Sequence, residues 1–223
     1  MRNALVLFDI DGTLINTGGA GSGAFIQTAQ ELFGLPDDLD FSFAGATDLG
    51  ILEDLKNRFD LGFDLNRDDA MLAKFFDLYC QRLDAALGQE TIEEIPGASA
   101  CVRELESQGV GLGLVTGNAR RSAMIKVATL GLEPLFHDGG FGDDNKDRNV
   151  LAELALGRCG GDAGLANHDV YLVGDTERDI LAAKHIGAHA IGITGHLSSE
   201  ELMDVGADHA LCDVRELLPI MGR

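Results

Sequence analysis

The sequence predicts an α/β protein: a doubly wound parallel sheet with an α-helical cap domain inserted after the first strand. Three observations point there. Short continuous apolar runs recur at ALVLF (4–8), GLGLV (111–115), VYLV (170–173) and HAIGI (189–193), with a weaker copy at HALC (209–212). Such runs suit strands covered on both faces. From Pro96 onward, segments of helical periodicity alternate with these runs, which is the cadence of a parallel sheet wrapped by helices. Residues 15–95 break the cadence, having helical patterns and no strand-like run.

In chain order, the first run ends on Asp9, and a second acid, Asp11, follows before Gly12 and Thr13. Three helical patterns come next. Residues 23–33 place Phe25, Ile26, Ala29, Leu32 and Phe33 on one face. Residues 48–59 have Thr47 as N-cap, and 67–87, capped by Asn66, carry a stripe of Met71, Leu72, Phe75, Tyr79, Leu83 and Leu87. That stripe reads as core. The α/β part then resumes. Cys101, Val102 and Leu105 share a face in 98–108, and Met124, Val127 and Leu130 do so in 119–130. Val150, Leu151 and Leu154 follow in 149–156, then Ile180, Leu181 and Ile186 in 177–186. Gly109, Gly131 and Gly187 stop three of these helices. The expected domains are therefore 1–15 with 96–223, and 16–95.

Composition narrows the function classes. The chain has 223 residues, 45% hydrophobic, enough for one substantial core and a smaller second module. Its formal net charge of −20 argues against nucleic acid and anionic membranes as partners. An anionic substrate would need a local cation to offset that field. Cys80, Cys101, Cys159 and Cys212 are scattered without a CxxC, so they read as small apolar residues in a reducing compartment. The opening apolar run is too short for a signal peptide, and no run approaches the ~18 residues of a membrane span. The expectation is a cytoplasmic protein, a monomer or small homo-oligomer.

Ligands of such sheets gather at the carboxyl ends of the strands. Asp9-Ile10-Asp11-Gly12-Thr13 follows the first run, and Thr116-Gly117-Asn118 the second. Gly174-Asp175-Thr176 and Asp179 follow the third, and Thr194-Gly195-His196 the fourth. Acids converging on one edge make a hard-oxygen site, which suits Mg²⁺ with a substrate phosphate.

At these residues the chain resembles the haloacid dehalogenase superfamily of phosphotransferases, over nearly its whole length. Asp9 to Thr13 meets the DxDGT signature, Thr116 the second motif, and Gly174 to Asp179 the GDxxxD motif. The helical insertion is similar to the cap of phosphoglycolate phosphatase-like members. The resemblance implies Asp9 as nucleophile forming an aspartyl-phosphate, and Asp11 as the acid that protonates the leaving oxygen and then activates water. It implies Thr116 as a phosphoryl contact and a Mg²⁺ ion held by Asp9, Asp11 (through its carbonyl), Asp175 and Asp179. Gly12, Thr13, Gly117 and Asn118 are candidate substrate contacts, joined by Thr47 from FAGATDLG (43–50). The family's third motif, a Lys before a helix followed by Pro, is altered here to NKDRNV, so Lys146 and Arg148 are both candidates for its cation.

The function implied is a Mg²⁺-dependent phosphatase acting on a small phosphorylated metabolite, phosphoglycolate being one candidate. The alternatives are a sugar-phosphate mutase of the same superfamily and a non-catalytic phospho-ligand-binding module. Asp11 sets dehalogenase chemistry aside, because dehalogenases of the family lack that second acid. Lys56, Arg58, Arg67, Lys74 and Arg82 of the insertion are further cations that could meet a second anionic group. GGAGSG (18–23) reads as a hinge, Asp143, Asn145 and Asp147 do not complete a calcium loop, and His196 is the histidine nearest the expected site.

Overall fold

A computed structural model describes residues 4–39, 43–65, 69–88, 92–160 and 169–222. The strands are β1 (Ala4–Phe8), β2 (Ile15–Asn16), β3 (Glu93–Glu94), β4 (Gly111–Val115), β5 (Gly139–Gly140), β6 (Asp169–Gly174), β7 (His189–Ile193) and β8 (His209–Leu211). The helices are α1 (Ala20–Phe33), α2 (Asp48–Phe59), α3 (Asp69–Leu87), α4 (Ala98–Ser107), α5 (Arg120–Ala128), α6 (Arg148–Gly160), α7 (Glu177–His185), α8 (Ser199–Val205) and α9 (Leu217–Met221).

Six strands form one parallel sheet in the order β5-β4-β1-β6-β7-β8. The doubly wound α/β class read from the sequence is the one found. The apolar runs are continuous because alternate residues enter opposite layers. Val6 and Phe8 of β1 pack with Cys101, Val102 and Leu105 of α4 and with Val127 of α5. Leu5 and Leu7 pack with Leu151 of α6 and Ile180 of α7. Chain order reverses at β1, which has β4 on one side and β6 on the other. That reversal opens a crevice at the carboxyl ends of these strands.

The helices α1, α2 and α3 bury a third apolar cluster of their own, centred on Phe25, Leu52, Phe75, Tyr79 and Leu83. The Phe25 ring stands 4.9 Å from Phe75 and 5.4 Å from Tyr79, edge to face in both pairs. Thr47 caps α2 as expected, its Oγ1 accepting from the Gly50 N–H at 3.1 Å. The expected cap Asn66 and the candidate cation Arg67 lie outside the described residues.

Several local readings differ. The strands β2 and β3 pair antiparallel at the two ends of the helical segment, where no strand was expected. Two residues on each side present no hydrophobic pattern to read. Helix α1 begins at Ala20, so four of the six residues of GGAGSG (18–23), expected as a hinge, are helical. In α5 the buried face is Ser122, Ala123, Lys126 and Val127, whereas Met124, and Leu130 beyond the helix end, are only partly covered. Leu181 of α7 is exposed. All four cysteines are free thiols, but only Cys80 and Cys101 are buried and Cys212 is exposed. Among the described residues no helix is long and apolar enough to cross a membrane.

Candidate active site

The loop after β1 turns back on itself at once. The Asp9 N–H bonds the Val173 carbonyl of β6 at 2.9 Å, and the Leu14 N–H bonds the Ile10 carbonyl at 2.8 Å. Gly12 has φ +75°, and a Cβ there would lie 2.2 Å from Asp175 Oδ2. Only glycine lets the turn pass this close to Asp175, the acid after β6. Thr13, buried, points its hydroxyl at Asp175 Oδ1, 3.4 Å away.

Asp9, Asp175 and Asp179 converge. Each is buried and offers an oxygen within 4.8 Å of the others. Arg148, the first residue of α6, lies among them with Nη2 at 2.9 Å from Asp9 Oδ1 and 2.6 Å from Asp179 Oδ1. The same nitrogen donates to the Val115 carbonyl at 3.3 Å. Asp179 also accepts, through Oδ2, from the Thr176 N–H (3.1 Å) and hydroxyl (2.6 Å), whereas its buried Oδ1 meets the Arg148 charge but has no hydrogen-bond partner among the described residues.

One guanidinium does not balance three buried carboxylates. Burial pushes Asp9 up to about 7, with Arg148 opposing and Asp179 and Asp11 adding to the rise. Burial, then the charges of Asp9 and Asp179, push Asp175 to about 8. Arg148 is held above its ordinary range by the two acids in spite of burial. An all-oxygen donor set short of positive charge fits a hard divalent cation.

Of the two candidate cations, the structure brings Arg148 into the cluster and Lys146 elsewhere. Lys146 Nζ pairs with Glu53 of α2, 2.7 Å away, on the surface. The helix starts at Arg148, which turns that side chain inward and leaves Lys146 in the preceding loop. Thr47 is likewise occupied, capping α2 and donating to the Lys146 carbonyl at 3.1 Å.

Beside this cluster a second group forms. Asp11 Oδ1 and Oδ2 accept from Lys126 Nζ at 2.8 and 2.7 Å, and Oδ2 accepts from Asn118 Nδ2 at 2.7 Å. The other end of the Asn118 amide, Oδ1, accepts from Lys126 Nζ at 2.7 Å, and Nδ2 also donates to Thr116 Oγ1 at 2.8 Å. The Asn118 side chain is thus spent on Asp11, Lys126 and Thr116, not held free for substrate. Gly117 lies where α2 meets the sheet edge: its carbonyl accepts from the Asp48 N–H at 2.8 Å.

Asp9, Asp175 and Arg148 of the first group and Asp11, Thr116, Asn118 and Lys126 of the second line one cavity of about 280 Å³ between the sheet edge and the helices α1 to α3. His196 reaches it, as do Tyr79 and Asp48. Among the described cations of the insertion, Lys56, Arg58, Lys74 and Arg82 are not part of its wall. Burial pushes Asp48 to about 7, against a hydrogen bond from the Ala119 N–H.

Lys126 was missed from the sequence. Its signal was its spacing: it falls three and four residues from Ala123 and Ser122, on the inward face of α5, where a lysine needs a partner.

Comparison with known proteins agrees with this geometry. The family model for haloacid dehalogenase-like hydrolases matches residues 6–193. The pyrophosphatase PpaX of Bacillus pumilus is 26% identical over 231 residues, covering 97% of this chain and 95% of that one. The phosphoglycolate phosphatase of Yersinia pestis is 28% identical, covering 97% and 92%. Among solved structures, CbbY of Rhodobacter sphaeroides in complex with phosphate superposes with a TM-score of 0.73 at 20% identity, covering 97% and 96%. With the family model spanning most of its length and the sheet topology in place, the chain belongs to the haloacid dehalogenase-like hydrolases and is an enzyme.

Proposed function

We propose that the protein is a Mg²⁺-dependent phosphatase that hydrolyses a small phosphomonoester through an aspartyl-phosphate on Asp9. One observation carries this reading. A buried carboxylate, Asp9, lies beside Arg148 and Asp175, and a second, solvent-reachable carboxylate, Asp11, stands two residues away in the same cavity. The first arrangement suits a nucleophile whose carboxyl is raised to about 7 by burial and the neighbouring acids, and whose anion Arg148 and a bound divalent cation would together favour. The second suits a proton donor and acceptor.

Asp9 and Asp175 are the side chains to hold the metal, with the Asp11 carbonyl. Asp179 is committed to orienting Arg148 and to the start of α7. Bound there, Mg²⁺ would supply positive charge against the phosphoryl oxygens. Asp9 attacks phosphorus and the bond to the ester oxygen breaks, while Asp11 gives that oxygen a proton. Asp11 then takes a proton from the water that releases phosphate. Arg148 and Thr116 stabilise charge on the transferring group. We read residues 16–95 as the cap that covers the edge and 1–15 with 96–223 as the catalytic core, joined through the β2–β3 pair. A cavity of about 280 Å³ suits a small metabolite. The names of the relatives make phosphoglycolate and pyrophosphate the first compounds to assay.

The test is phosphate release with Mg²⁺ from a panel of phosphomonoesters, for wild type and Asp9→Asn. Turnover that needs Mg²⁺ and vanishes in the variant supports the reading. Turnover that survives Asp9→Asn sinks the mechanism, and net isomerisation of a sugar phosphate without phosphate release would make the enzyme a mutase.

A further inference from the structure

A lysine is rarely nine-tenths buried unless its charge is met. Lys126 is 3% exposed and is met three ways: by both oxygens of Asp11 and by Asn118 Oδ1, at 2.7 to 2.8 Å. An ammonium has three donors, so none is left to touch a substrate. Asn118 closes the ring by donating to Asp11 as well. Asp11, the clamped member, keeps a side chain 44% exposed toward the cavity, while the clamp beneath it is sealed. Part of the seal is α1: a Cβ on Gly21 would lie 3.0 Å from Lys126 Nζ, so the helix backbone covers the ammonium directly.

We propose that Lys126 is a positioning residue for leaving-group protonation: with Asn118 it fixes the Asp11 carboxyl at the cavity rim. The proposal rests on the phosphatase reading above. A carboxyl on a free side chain samples several rotamers, and a proton donor must meet the ester oxygen within hydrogen-bond reach. Protonated Asp11 still has an acceptor oxygen for Lys126 and turns its O–H to the ester. As the phosphorus–oxygen bond breaks, its electron pair goes to the leaving oxygen, which takes that proton, and Asp11 returns to a carboxylate held by the same ammonium. Lys126 itself exchanges no proton.

The test compares kcat and KM for wild type, Lys126→Met, Lys126→Arg, Asp11→Asn and the double variant Lys126→Met/Asp11→Asn. The probes are p-nitrophenyl phosphate, phenyl phosphate and ethyl phosphate, whose leaving oxygens need a proton increasingly. Lys126→Met should lose about 100-fold in kcat on ethyl phosphate and only a few-fold on p-nitrophenyl phosphate, with KM little changed. In the Asp11→Asn background the same substitution should cost almost nothing further. Lys126→Arg, which keeps the charge, should recover part of the loss and serves in place of Lys126→Met if that variant does not fold. An equal loss on all three esters, a KM effect with kcat unchanged, or additive losses in the double variant would each overturn the proposal while leaving the phosphatase reading standing. No turnover by wild type on any ester would overturn both.

Discussion

The guanidinium of Arg148 lies 2.6 Å from the fully buried carboxylate of Asp179. The same nitrogen reaches Asp9 at 2.9 Å, so one side chain joins the acid after β6 to the acid after β1. The pairing depends on three separate chain segments, and its removal leaves buried charge uncompensated.

Arg148→Met should therefore cost about 3–5 kcal/mol of stability, the scale for breaking a buried pair from one side. It should also lower kcat by at least about 100-fold, as loss of an oriented charge at a reacting centre does. Lys146→Met removes an exposed pair with Glu53 and should change stability by no more than about 1 kcal/mol and activity by less than about threefold. Urea unfolding and phosphate-release kinetics read both. A larger catalytic loss in Lys146→Met than in Arg148→Met would reverse the assignment of the cation.

The acids also set a pH dependence. Asp9, Asp48 and Asp175 start from an ordinary carboxylate value of 3.8 and are raised to about 7, 7 and 8 in the fold. In that interval the native state binds more protons than the unfolded chain, so stability falls as pH rises. Protein stripped of metal by EDTA should melt progressively lower from pH 5 to pH 8. Added Mg²⁺ should raise the melting temperature more at pH 8 than at pH 5, because it binds the anionic form. Asp48→Asn, outside the cluster of Asp9, Asp175 and Asp179, should remove part of the fall without altering the Mg²⁺ effect. A melting temperature that rises from pH 5 to pH 8 in EDTA would contradict the direction of these shifts.

Close backbone packing between the sheet edge and α2 makes a third prediction. A Cβ on Gly117 would lie 1.9 Å from the Ala46 carbonyl oxygen, which as backbone has little room to yield. Gly117→Ala should destabilise by about 1–3 kcal/mol, the range for overpacking, and should raise KM by opening the cavity wall. Gly62→Ala, where the added methyl meets nothing within 4 Å, is the control. Equal behaviour of the two variants would show that this contact does not hold the helices over the site.

The sequence by itself determined the sheet and most of what surrounds it. Runs such as ALVLF are uniformly apolar because both faces of a central strand are covered, and that property is local. The helical stripe of Phe75, Tyr79, Leu83 and Leu87 repeats with the period of the helix and is local in the same sense. The acids at the strand ends were legible because chain direction and strand order put them on one edge. Short pairings such as β2 with β3 were not, since two residues make no pattern. The choice between Lys146 and Arg148 was decided only by tertiary structure: two residues apart, they are separated by the phase of the helix start, which turns one inward and leaves the other to Glu53. Lys126 is the clearest case. It lies 115 residues from Asp11 in sequence, and only the packing of α5 under α1, against the loop after β1, brings the two charges into contact and makes burial of the lysine tolerable.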